Sequence, residues 1–225
     1  MRTTSKLSVA LRTTAAALGV AMLGAGMLAS PASAKPGGAG TPFAATSSNK
    51  NCVVTLKAGA NPAPATTCFA TFTQAIRQAT GGAVTDARAT ADAAMKDPSF
   101  LEKVNAAARA TSGAAAFQAA VVGVEFEAIN HNPNPWSFTF SGPAVCTGPT
   151  NDIDYSVNLP APIWDQISSF QAFFPATLCL ADHYFLQNFG LPRTGFAGSR
   201  TTMPPMNVGG GPVNGDNNTR SITWS

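Results

Sequence analysis

Two short stretches of this 225-residue chain place oxygen-bearing side chains where apolar residues otherwise run. In IWDQISSF, Asp165 follows Trp164, and Ser168 and Ser169 follow Ile167. In DNNTRSITW, Asp216, Asn217 and Asn218 precede Thr219, Arg220 and Ser221. A carboxylate in an apolar stretch costs free energy unless hydrogen bonds or a cation use it. The purely structural use is local. Asp165 accepts from nearby backbone N–H groups, the serines tie a corner together, and Arg220 pairs with Asp165 or Asp216. A third stretch, TNDIDYS, holds Asn151, Asp152 and Asp154, and reads as a polar turn leading into a strand.

Catalytic patterns are missing. No G-x-S-x-G, H-E-x-x-H or P-loop occurs, and His131 and His183 are the only histidines. His131 sits in an Asn/Pro turn and reads as a polar loop residue. His183 follows Asp182 at the start of an aromatic hairpin. A protein that is not an enzyme is the expectation.

Residues 1–34 read as a secretory signal. Arg2, Lys6 and Arg12 flank or precede an apolar stretch, AAALGVAMLGAGMLA, and Ala32 and Ala34 form an A-x-A cleavage pattern before Lys35. The apolar stretch is short for a membrane span. Those three cations account for the whole formal net charge of +3, so acids and bases balance beyond them. A balanced chain without a Lys/Arg cluster argues against nucleic acid or an anionic membrane as the partner. The expected location is therefore secreted. Cys52, Cys68, Cys146 and Cys179 are an even set in an exported chain and imply two disulfides. Three pairings are open, and the sequential one keeps each bridge inside one candidate unit. Zinc is disfavoured, because no C-x-x-C spacing exists and the histidines are remote in sequence.

Several elements must position the two polar stretches. Residues 35–51 are rich in Gly, Pro, Ser and Thr and read as a flexible linker. Residues 52–116 read as a small, mostly helical unit. Within it CVVTL suggests a short strand and KAGANPAPATT a loop. Thr71 and Gln74 fit a capping box, and Gly81–Gly82 fits a stop. Asp97 and Pro98 open another helix, with Leu101, Val104 and Ala108 on its buried side. The Ala-rich stretch between them also reads as helix. From about Val121 the period becomes two. Val122, Val124, Phe126 and Ala128 alternate with Gly123, Glu125 and Glu127; Trp136, Phe138 and Phe140 alternate with Ser137, Thr139 and Ser141. Ile153, Tyr155, Val157 and Leu159 repeat the pattern. Short strands punctuated by Gly and Pro predict a mainly β sandwich or barrel over residues 117–225.

This region divides into two copies, 121–174 and 177–225, each opening on an aromatic hairpin and closing on one of the two polar stretches. In this it resembles the βγ-crystallin superfamily, whose motifs carry an early aromatic, a hairpin glycine and a later serine. Tyr184, Gly190 and Ser199 approximate that set in the second copy. Phe126 and Ser137 do so in the first, where Asn and Pro replace the glycine. CFATFTQAIRQATGGAVTDA resembles the N-terminal extension of secreted bacterial members. The resemblance implies two Greek-key motifs forming a βγ-crystallin-like β-sandwich, preceded by the small helical unit.

The resemblance also implies a calcium pattern, (N/D)-(N/D)-x-x-(S/T)-S. Calcium wants six to eight oxygens, more than one loop supplies, so two loops share them. The implied ligands are Asp165, Gln166 through its carbonyl, and Ser168 in the first loop, and Asp216, Asn217 and Asn218 in the second. Trp164 replaces the first polar residue. Arg220 replaces the hydroxyl, and a guanidinium is donor-only and cationic. No cofactor is required by this reading, and calcium is the one ion it allows. The expected role is structural or binding, with no partner named by the residues. An inhibitor of a secreted metalloprotease is the alternative, using GLPRTGFAG or TTMPPMNVGGGPVNG as its gripping loop. A killer-toxin-like protein is the third.

Overall fold

A computed structural model describes residues 50–58, 64–111, 119–148, 152–173, 179–195, 197–208, 211–213 and 215–225. The segment read as a signal, residues 1–34, and almost all of the segment read as a linker lie outside these residues. The linker as read includes Asn51, which instead begins β1 (Asn51–Thr55) and is buried. The loop that follows contains an unforeseen strand, β2 (Ala65–Phe69), antiparallel to β1. Five residues of ATTCF carry too little alternation to signal a strand. Its partner supplies the order, with Cys52 directly opposite Cys68.

Local helix signals translate into structure. Thr71 Oγ1 accepts from Gln74 N, and Gln74 Oε1 accepts from Thr71 N, each at 3.3 Å, opening α1 (Phe72–Ala79). The Ala-rich stretch gives only one short helix, α2 (Ala91–Met95), capped by Thr90. Asp97 accepts from Ser99 N at 3.0 Å ahead of α3 (Pro98–Thr111). Val104 and Ala108 are buried as expected, together with Phe100, whereas Leu101 is only partly buried.

Beyond residue 119 come β3 (Ala120–Ala128), β4 (Asn132–Gly142), β5 (Tyr155–Asn158), β6 (Ser169–Ala172), β7 (Ala181–Tyr184), β8 (Met206–Val208), β9 (Gly211–Val213) and β10 (Ser221–Trp224). The protein is mainly β. A five-stranded mixed sheet has the order β2-β1-β4-β3-β6, in which β1 and β4 are parallel. A three-stranded antiparallel sheet has the order β5-β10-β7, and β8 and β9 form a separate pair. Single bridges extend both sheets: Phe170 with Arg200, and Ala181 with Ala197 and Tyr184 with Arg193.

Two interiors result. Val54, Phe138, Phe140, Val157, Ile222 and Trp224 pack between the sheets. Val53, Phe72, Ile76, Phe100, Val124 and Phe126 pack where the helices meet the five-stranded sheet. That sheet is therefore buried on both faces, which explains why Ser137, Thr139 and Ser141 are buried too. Ser141 Oγ donates to Ala79 O of α1 at 2.7 Å, and Ser137 Oγ to Asn51 Oδ1 at 3.0 Å. The segment read as a separate helical unit thus shares a sheet and an interior with residues beyond 117, and residues Ala39–Ser225 form one compact unit. Sequence periodicity reports which positions are apolar, not which element covers them.

The expected half-buried strand is likewise buried on both sides. A register shift lies between Val121 and Gly123. Past it, Val124 and Phe126 face the helices and Glu125 faces the opposite sheet. The disulfides are Cys52–Cys68 and Cys146–Cys179, the sequential pairing. They fit an oxidising environment. Among the described residues no helix is long and apolar enough to cross a membrane.

Candidate functional site

The two polar stretches meet at one end of the paired sheets. IWDQISSF does not run as a strand. Ala161–Ile163 is a 3-10 turn, Asp165 takes φ 57°, and β6 begins only at Ser169. In the second stretch Asn217 takes φ 54° and β10 begins at Ser221. A positive φ is tolerated by Asp and Asn better than by most residues, which suits both corners.

The corners bond to each other reciprocally. Asp165 N donates to Thr219 O at 3.1 Å, and Asn217 N donates to Ile167 O at 3.0 Å. The following residues each reach a hairpin. Ser168 N donates to Phe126 O at 2.9 Å, and Arg220 N to Tyr184 O at 2.8 Å. Ser169 Oγ donates to Ala128 O at 2.7 Å and accepts from His131 N at 3.0 Å. Ser221 Oγ donates to Leu186 O at 2.7 Å and accepts from Phe189 N at 3.2 Å. Both hairpin turns hold two successive left-handed residues, Asn130–His131 and Asn188–Phe189. The ring of Phe126 packs on His131 and that of Tyr184 on Phe189, with centroids 5.3 and 5.7 Å apart.

Side chains break this equivalence. On one side Ser168 Oγ donates to Asn217 Oδ1 at 3.1 Å. At the equivalent place Arg220 Nε and Nη2 donate to the Asp165 carboxylate at 2.9–3.2 Å, a two-pronged ion pair. Arg220 also lies 5.5 Å from the Trp164 ring centre and 5.6 Å from that of Phe185. The bound carboxylate raises the Arg220 guanidinium further above its ordinary value. Of the six implied ligands, Asp165 is thus engaged by a fixed cation and Ser168 and Asn217 are joined. Asn218 Nδ2 donates to the Asp216 carbonyl at 3.0 Å. Gln166 stands between Asp165 and Ile167 on the first corner, whose backbone groups both bond to the second corner.

As a calcium site the corner is uneven. The Asp165 position already holds a positive charge and does not fit a second cation. The Ser168–Asn217 position offers neutral oxygens, which suit a weakly held hard ion. Among the described residues no group of three or more His, Cys, Asp or Glu is placed to hold a metal.

Comparison of this chain with protein-family models, curated proteins and solved structures finds no match.

The histidines take roles that sequence reading missed. His131 Nε2 lies 3.1 Å from Phe170 O and 3.2 Å from Arg200 O. Carbonyls only accept, so the Nε2–H form donates there and ties the hairpin turn to β6. His183 Nε2 lies 3.1 Å from Glu125 Oε2, and neither side chain has exposed surface. The serines that lock the hairpins are Ser169 and Ser221, not Ser137 and Ser199. Ser199 instead accepts from Ala172 N at 3.1 Å and donates to Ala172 O at 3.0 Å. The signal was present in the sequence, since Ser169 and Ser221 are the final serines of the two polar stretches. Asp154 behaves as a turn residue, accepting from Thr147 N at 3.0 Å.

Proposed function

We infer that this chain is a secreted, disulfide-stabilised, non-enzymatic protein of the βγ-crystallin type. Two Greek-key motifs would form its sandwich, its role would be structural or binding, and it would hold calcium weakly. The observation that carries this reading is the double set of corner and hairpin bonds, made once through Ser168 and Ser169 and again through Arg220 and Ser221. A paired corner of this kind supplies oxygens from two loops, as a hard ion requires. Arg220 supplies one of the two positive charges covalently, leaving the Ser168–Asn217 position for the ion. The Glu125–His183 pair has no exposed side-chain surface, which favours a structural use of these two groups.

Thermal melting tests the calcium part. An affinity of about 10⁻⁴–10⁻³ M, usual for extracellular modules, predicts a Tm rise of a few degrees in millimolar calcium, reversed by chelator. In Arg220→Ser the rise should be larger, because the competing cation is gone and a hydroxyl replaces it. A Tm indifferent to calcium in both proteins removes calcium from the proposal.

A further inference from the structure

The outer edge of the five-stranded sheet is β2. Leu56 N donates to Ser141 O at 2.8 Å and Ser137 N donates to Lys50 O at 3.0 Å, so even-numbered residues of β1 bond toward β4. Odd-numbered residues of β1 therefore bond toward β2, using Phe69, Thr67 and Ala65 across the ladder. The Cα atoms of Cys52 and Cys68 are 4.0 Å apart, the close spacing of a pair that exchanges no backbone bonds. Both observations give one result. The N–H and C=O groups of Thr66 and Cys68 point away from the sheet, and among the described residues nothing accepts from or donates to them.

Edge strands are ordinarily guarded by charge, by proline or by a bulge. β2 has no charged residue, and its register with β1 runs unbroken over all five residues. The guard stands before it, at Pro64, whose missing N–H ends the open ladder there. The disulfide holds β2 on β1, so the edge cannot peel away. The other edges of the two larger sheets differ. β6 and β7 are bridged by Arg200 and by Arg193 and Ala197, and β5 is preceded by Asp152 and Asp154.

We propose that β2 pairs with β2 of a second copy of this chain, antiparallel, about a two-fold axis passing beside Thr67. The occupant is a second copy because this register is self-complementary. With Thr67 opposite its own mate, Thr66 faces the mate's Cys68 and Cys68 faces the mate's Thr66. Each of these two pairs exchanges two N–H···O bonds, so every open group on both strands is used. Thr67 is exposed and meets Thr67, a favourable cross-strand pair. No charge on either strand opposes the approach, and acids balance bases beyond residue 34. The joined sheets form one ten-stranded sheet across two molecules. Only two short strands meet, so the dimer is a weak one, forming at micromolar to millimolar protein.

Sedimentation velocity of the disulfide-intact protein over that concentration range tests this. The wild type should move from monomer toward dimer mass. Thr66→Pro deletes an outward N–H and no inward bond, and Thr67→Lys sets like charges face to face across the axis. Each should raise the concentration needed for half-dimerisation by about tenfold or more while leaving the Tm of the monomer unchanged. A wild type that stays monomeric throughout overturns the proposal. So does a dimer that persists equally in both folded variants, since it would use another surface. Should Thr66→Pro fail to fold, Thr67→Lys alone decides.

Discussion

Glu125 and His183 meet across the gap between the two sheets, in an interior otherwise lined by Phe140, Phe170, Ile222 and Trp224. Gly123 leaves room beside them, for a Cβ there would stand 3.3 Å from Trp224 Nε1. Glu125 Oε1, His183 Nδ1 and Trp224 Nε1 have no protein hydrogen-bond partner among the described residues. A buried pair of this kind is strongly context-bound: losing one partner strands the other. Glu125→Ala should therefore cost about 3–5 kcal/mol in urea unfolding. The double variant Glu125→Leu with His183→Phe should cost less than Glu125→Ala alone. Additive losses in the double variant would show that the two side chains do not act as a pair. Nothing in the sequence marked Glu125. It stands at an alternating position of a strand, where a polar residue reads as solvent-facing, and only the packing of the second sheet on that side buried it.

At the scale of elements, the hairpins are fixed less by their own turns than by a serine arriving from a distant strand. Ser169 bridges both sides of the β3–β4 turn, and Ser221 does the same for the turn after β7. Each hydroxyl satisfies one backbone donor and one acceptor that would otherwise lack partners. Ser169→Ala and Ser221→Ala should each destabilise by about 1–3 kcal/mol, and by similar amounts, measured by chemical denaturation. A large loss at one site with none at the other would break the equivalence of the two corners. The polar stretches were visible in the sequence, and so was their repetition. Which serine served which hairpin was not, because spacing along the chain does not give distance across a corner.

For the whole molecule, the decisive feature is that the N-terminal strand pair and the helices complete the sheet begun after residue 117. β1 lies parallel beside β4, and Val53, Phe72 and Phe100 share an interior with Val121, Val124 and Phe126. A fragment of residues 117–225 should therefore lack a sharp thermal transition and bind hydrophobic dyes. Cooperative melting of that fragment at the full-length Tm would instead mark it as a self-sufficient domain. By itself the sequence determined what depends on neighbours along the chain. The Thr71–Gln74 cap, the Asp97 helix start, the period-two strands, the even cysteines and the paired polar stretches all rest on local geometry and side-chain type. Tertiary structure alone decided the rest: that both faces of one sheet are covered, that Arg220 neutralises Asp165, that Glu125 finds His183 and that β2 is left at an edge. Those outcomes depend on contacts between residues far apart in sequence, whose energies exist only once the sheets and helices have closed on one another.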